Sequence, residues 1–312
     1  MSRKSLLLTV AGIVLALAAL YAAAWFKARS LVDEQLQQLV ASGSYEKADY
    51  ASLWLSPLRT LTLGELELKQ PDFDLVVEQL SVSDIDFFHA PPHHLAITAR
   101  GLRFPQGLPD LSATSPLLAT LLRSVSHDDT VLATIEYSYD TAANDANRTL
   151  YTIALSLPNL AELRVDAEAL HWLHDASPAS LMSANTATGQ VQTPGDAAVP
   201  RATLSLHDSG VVSIFLQAMA EDSHTSIADA RAVLTSQLRN ADQLLPANLR
   251  NLALTGGAEL AKFLDGNKTL TLTITPVHDG NIALLQQELM GAVLTGNYDQ
   301  VAALLQLKIA TD

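Results

Sequence analysis

From Tyr50 to Lys69, leucines fall on every second position with polar residues between them: Leu53 and Leu55, then Leu61 and Leu63, then Leu66 and Leu68. A period of two predicts β-strands with one apolar face. Pro57 divides the stretch, and the beat slips once at Gly64-Glu65, which predicts a β-bulge carrying one extra residue. The slip recurs downstream. Leu75 and Val77 give way to Leu80 and Val82, then to Ile85 and Phe87, and Leu95, Ile97 and Ala99 give way to Leu102 and Phe104. Such spacing predicts a curved antiparallel sheet of amphipathic strands, twisted by bulges and polar on one side. Its apolar side either packs on the protein's own helices or faces a ligand. In the second case Leu53, Leu55, Leu61, Leu63, Leu66, Leu68, Leu80 and Val82 are the ligand-facing candidates.

Pro105, Pro109 and Pro116 interrupt the alternation, and residues 115–127 predict a short helix at best. Val131, Ala133, Ile135, Tyr137 and Tyr139 restore it, a polar loop follows, and Tyr151, Ile153, Leu155 and Leu157 complete a predicted hairpin. Leu163, Val165 and Ala167 predict one more strand. Residues 175–200, heavy in Ala, Ser, Thr, Gly and Pro, predict a mobile loop or linker.

Beyond Arg201 the period changes. Ala202, Leu204 and Leu206 predict a strand, whereas Val211, Val212, Phe215, Leu216 and Met219 recur at helical spacing. Ser226 with Asp229 predicts a capping box ahead of Ile227, Ala230, Leu234 and Leu238. Pro246 suits a helix start, and Gly256-Gly257 is read as a break between two helices, the second being 258–264. Residues 268–275, "KTLTLTIT", alternate cleanly as a half-buried strand. Residues 281–290 predict a helix, and Leu305, Leu307 and Ile309 a closing strand. The fold class is therefore mainly β with an α+β C-terminal part.

The N-terminus carries a different pattern. Arg3 and Lys4 precede Ser5 to Phe26, a run of 22 residues without a charge. At 1.5 Å per residue it reaches about 33 Å, enough for a bilayer core of about 30 Å, and predicts an N-terminal transmembrane helix. Tyr21, Trp25 and Phe26 gather at its far end, followed by Lys27 and Arg29, as at a membrane interface. Ala22-Ala23-Ala24 would equally suit cleavage of a signal peptide, although the run exceeds the usual core of about 7 to 15 residues. Either reading exports the remainder. Val32, Leu36, Leu39 and Val40 continue the helix, with Gly43 as its stop. The expected organisation is a cytoplasmic stub and anchor over 1–29, a helical juxtamembrane segment over 30–44, a β-rich extracytoplasmic domain over 45–174, the linker over 175–200 and the α+β part over 201–312.

Composition narrows the partners. Against 33 acidic residues stand 19 basic ones, a net charge of -14 with no basic run, which argues against nucleic acid. Cysteine is absent, so disulfides, thiolate metal sites and cysteine nucleophiles are excluded. Histidines cluster at His89, His93 and His94 and at His171 and His174, but without further ligands at metal-binding spacing. His207, Asp208 and Ser209 adjoin in sequence, which a helix N-cap explains better than a triad. Asp84 and Asp86 read as a solvated stripe on one strand face. No catalytic residue, metal ligand or cofactor site is named.

An apolar N-terminal helix, followed soon after by "YASLWLSPLRTLTLGELELK" and a string of amphipathic strands, resembles the AsmA-like envelope proteins of Gram-negative bacteria. It is also similar to the single-span YdgA-like periplasmic proteins. That resemblance, carried mainly by residues 1–105, implies an open β-groove, a single-pass inner-membrane protein with its bulk in the periplasm, and a part in envelope assembly or lipid movement. The function expected on these grounds is non-enzymatic: binding of a phospholipid or an envelope partner protein in cell-envelope maintenance. A ligand-free periplasmic scaffold is the alternative, and a hydrolase with a dispersed site a further one.

Overall fold

The computed structural model describes residues 3–43, 45–56, 60–70, 73–83, 93–105, 126–127, 130–142, 145, 147–171, 196–244 and 250–312, the side chains of 3–20, 73, 126–127, 242, 244 and 250–252 aside. The expected features at Ile85, Phe87, His89, the two aspartates at 84 and 86, Pro246 and most of 105–129 and 175–200 lie outside these residues. The strands pair antiparallel in the order β1-β2-β3-β4-β6-β7-β8-β9-β10-β11, with β5 beside β6. They are β1 (Lys47–Leu55), β2 (Leu61–Gln70), β3 (Phe73–Ser83), β4 (His94–Arg103), β5 (Ser126–His127), β6 (Thr130–Thr141), β7 (Arg148–Leu157), β8 (Ala161–Leu170), β9 (Ala198–Asp208), β10 (Thr269–Ile274) and β11 (Lys308–Thr311). The chain divides into two compact units, the first built on residues 1–85, 97–109 and 127–131, the second on most of the rest. The mainly-β, partly α+β class is thus as the alternation predicts.

In the first unit a helix, α1 (Arg3–Ala41), precedes the strands. It ends where Gly43, at φ 76°, turns back and donates to the Val40 carbonyl at 3.0 Å, the stop expected from sequence. Among the described residues no helix is long and apolar enough to cross a membrane, so the expected transmembrane helix is not found there. The side chains that supply most of the uncharged run, those up to residue 20, are outside the description.

The expected bulge at Gly64-Glu65 is corrected by the register. Ser52 pairs with Gly64 and Tyr50 with Leu66, while Gly64 pairs with Gln79 and Leu66 with Val77, so no strand carries an extra residue. Instead Ala51, Glu65 and Glu78 share one exposed row at which all three strands change phase together. Glu65 adopts the left-handed conformation there, at φ 50°, and Gly101 of β4, at φ 65°, lies against the Glu78 side chain, where a Cβ would clash with it. One left-handed residue rotates the next peptide and sends the following side chains to the opposite face; the paired strands follow to keep their hydrogen bonds. Leu63 and Leu66 are both buried as a result.

The second unit adds α2 (Val211–Ser223), α3 (Ile227–Arg239), α4 (Ala241–Leu244), α5 (Arg250–Asp265), α6 (Ile282–Leu294) and α7 (Tyr298–Leu305), with a short 3-10 turn at His278–Gly280. Its core joins Val212 and the fully buried Leu216 of α2 to Phe263 and Leu264 of α5, against Leu206 of β9 and Leu270 of β10. Ser226 caps α3 by accepting from the Asp229 N–H at 3.0 Å, as its sequence predicts. Two expectations are corrected. Gly256 and Gly257 do not separate helices but lie inside α5, where Gly257 faces the Leu238 carbonyl of α3 and Gly256 faces Ile309 of β11. Side chains at either position would push these elements apart. Leu305 belongs to α7, so the closing strand begins only at Lys308.

Candidate functional site

Strands β6 to β9 carry two adjacent apolar rows on one face. Antiparallel register lines up Tyr137, Ile153, Val165 and Leu204, then Leu272 and Ile309 on β10 and β11, as one row across six strands. A neighbouring row holds Ile135, Leu155, Leu163, Leu206 and Leu270. The opposite face is polar: Arg164 grips Asp166 through two hydrogen bonds of 2.8 Å, and Arg148 pairs with Glu168 at 2.8 Å. Helices α2 and α5 cover the β9–β11 end of the apolar face through Leu206, Leu270 and Ile309. Toward β6 no described helix continues that cover. Ile135, Ile153, Leu163 and Leu204 are 38, 48, 37 and 37% exposed. Scattered surface leucines are ordinary, but adjacent ones in one patch mark an interaction surface.

A polar handle adjoins this patch. Tyr139 and Tyr151 pair across β6 and β7, ring centroids 6.2 Å apart, with Tyr137 6.3 Å from Tyr139. Burial pushes the hydroxyl pKa of both Tyr137 and Tyr151 upward, so both stay protonated donors. The Tyr151 hydroxyl is buried without a hydrogen-bond partner among the described residues. Such a group costs about 1–3 kcal/mol in the folded protein.

The eight leucine-face candidates of the first unit lie elsewhere. Leu61, Leu63 and Leu66 are buried, and Leu53, Leu55, Leu68, Leu80 and Val82 are half-buried. The signal for the open face was equally visible in sequence, as the alternation at 131–139, 151–157 and 163–167. What alternation lacks is any mark of which face the helices leave bare.

The residues expected at a membrane interface lie together along α1. Trp25 and Phe26 meet edge to face at 5.1 Å, and Arg29 lies over the Trp25 ring at 5.5 Å while reaching Asp33 at 3.8 Å. Lys27 is exposed, as are Tyr21 and Phe26. Tyr21 donates through its hydroxyl to the Leu55 carbonyl at 2.6 Å.

A cavity of about 720 Å³ lies between α6 and α7, lined by Val277, His278, Leu284, Gln287, Glu288 and Leu304 among others. His278 Nε2 stands 3.1 Å from Glu288 Oε1, an acid–base pairing whose surrounding wall offers no nucleophile. No group of three or more potential metal ligands occurs among the described residues. His93 and His94 are exposed, and His171 Nδ1 lies 3.6 Å from Asp196. The tempting "HDS" run resolves structurally: Asp208 accepts from the N–H groups of Gly210 and Val212 at 2.9 and 3.1 Å, closing the start of α2, while His207 meets Thr269.

A family model described as "Uncharacterized protein" matches residues 154–312. No curated protein and no solved structure matches the chain.

Proposed function

We propose, for a chain that belongs to that family, a non-enzymatic role: a membrane-anchored protein that holds a phospholipid or related amphiphile on the apolar face of β6–β9. In this reading the uncharged run Ser5–Phe26 is the anchor, Tyr21, Trp25, Phe26, Lys27 and Arg29 mark its interface, and the rest of the chain lies in the periplasm of a Gram-negative envelope. The observation that carries the ligand is the patch of Ile135, Ile153, Leu163 and Leu204, adjacent apolar side chains left exposed on one sheet face. A second reading, a scaffold that binds no lipid, is favoured by the first unit, where Leu61, Leu63 and Leu66 of the leucine face are spent on packing.

The test is organic extraction and mass spectrometry of the full chain purified from a bacterial envelope, beside an Ile153→Asp/Leu163→Asp variant. Phospholipid at a fixed ratio in the native protein, lost in the variant with its melting transition retained, is the expected result. Equal lipid in both sinks the ligand face, and none in either leaves the scaffold.

A further inference from the structure

Along α1 and β1 two hydrogen bonds act as rungs. Tyr50 donates to Asp33 at 2.7 Å, and Tyr21 donates to the Leu55 carbonyl at 2.6 Å. Between them, small clefts bring Trp25 and Arg29 to Ala51, Ser52 and Leu53, and beyond them Leu36 and Val40 to Ala48. The helix and the strand therefore run side by side in opposite directions. Their lengths agree: Tyr21 to Asp33 is about 18 Å of helix rise, and Tyr50 to Leu55 about 17 Å of strand. The end of β1 thus stands level with Tyr21, not with the end of the uncharged run. Tyr21 lies five residues before Phe26, about 7 to 8 Å further into that run.

We infer that the Trp54-Leu55 end of β1 dips into the phospholipid interface beside the anchor and makes a second membrane contact; this rests on the anchoring of Ser5–Phe26 proposed above. A bilayer that takes up the run as far as Phe26 meets this strand end at the depth where indole and phenol rings gather. Trp54 is 60% exposed, a large apolar surface left to water unless something covers it. Phe26, also exposed, and Lys27 follow about 7 to 9 Å further along α1, on the headgroup side, as an apolar belt and a cation facing lipid phosphates. The occupant is the bilayer itself. With β1 held at that depth, the strands are fixed in height against the membrane surface by two points instead of a single helical stalk.

The chain contains no cysteine, so single-cysteine labelling has no background. The full chain, reconstituted in phospholipid vesicles, would carry an environment-sensitive fluorophore on Trp54→Cys, on Phe26→Cys or on the exposed Ser223→Cys. Labels at 54 and 26 should both shift to the blue and lose emission to brominated phospholipid, while the label at 223 does neither. Quenching at 26 with water-like behaviour at 54 would overturn the inference and leave the anchor standing. Absence of quenching at both positions would remove the anchor and the inference with it. A label at 54 shielded from aqueous iodide yet untouched by brominated lipid would mean that a protein contact covers it, which also overturns the proposal. Because Trp54→Cys removes the indole under test, Trp54 emission in a Trp25→Phe/Trp172→Phe variant supplies a second readout. It should be quenched by the same lipid, and unquenched emission there refutes the contact.

Discussion

The leucine face of β2 and the mixed face of β6–β9 share one alternating pattern, yet Leu63 is 5% exposed and Ile153 48%. Each sits in mid-strand between apolar cross-strand neighbours, Leu53 and Leu80 for the first, Tyr137 and Val165 for the second. Both are paired antiparallel and in register, so the alternation by itself does not set the difference. Alternation specifies an apolar side; only the third dimension decides whether that side is filled.

The sharpest way to break this comparison is to place the same charge on both faces. Leu63→Asp should exceed the cost of a core Leu→Ala change, about 2–5 kcal/mol, and unfold the first unit in a denaturant titration. Ile153→Asp should cost under about 1 kcal/mol while removing bound lipid. Equal costs would mean that both faces are packed. Next in size is the boundary between covered and open surface in the second unit. Gly257→Ala brings a Cβ onto the Leu238 carbonyl and should destabilise by about 1–3 kcal/mol despite a gain in helix propensity of about 1 kcal/mol. Lifting α5 in this way uncovers Leu206, Leu270 and Ile309, so binding of a hydrophobic dye should rise; a stabilised variant would show that the two helices are not in close contact.

Smaller and opposite in sign is Tyr151→Phe. Deleting a hydroxyl buried without a partner among the described residues should leave the protein unchanged or stabilise it by up to about 1 kcal/mol. Destabilisation would reveal an internal partner for that hydroxyl. Smallest is Asp166→Asn on the polar face. Hydrogen bonds from Arg164, then from Thr152, hold the Asp166 carboxyl below its usual value, partly offset by burial. A depressed folded-state pKa contributes stability above the unfolded value of about 3.9, and the contribution is lost as pH falls through the folded-state value. The site is partly solvated, so the native protein should lead the variant by under about 1 kcal/mol at pH 7 and by nothing in strong acid. A constant gap in melting temperature between the two conditions would show that the ion pair is not its source.

Much of the fold was legible because local chemistry set it. "KTLTLTIT" is β10, Ser226 and Asp229 open α3, Gly43 closes α1, and the alternation at 151–157 and 163–167 is β7 and β8. The misreadings have two causes, a deciding partner distant in sequence and an overlooked local helix cap. Gly256-Gly257 looks like a break until Leu238 and Ile309 are found against it. Leu305 fits a strand period but ends α7, whose N-cap Asn297 accepts from the Gln300 N–H at 3.2 Å. The open apolar patch was in plain view as strand pattern, but the extent of helix cover over β9–β11 is a tertiary fact that no window of residues contains.

The row through Ala51, Glu65, Glu78 and Gly101 also bears on how such a chain can change over generations. A bulge is an insertion, and one deletion undoes it. Here the phase change contains no insertion, so the strands on either side of it stay commensurate, and a residue lost from one alone would throw it out of step with its neighbours. Length is thereby locked as a set across the first strands, while the phase change itself depends on the left-handed residues Glu65 and Gly101. Drift in this part of the molecule should accumulate as replacements, with insertions and deletions confined to the turns.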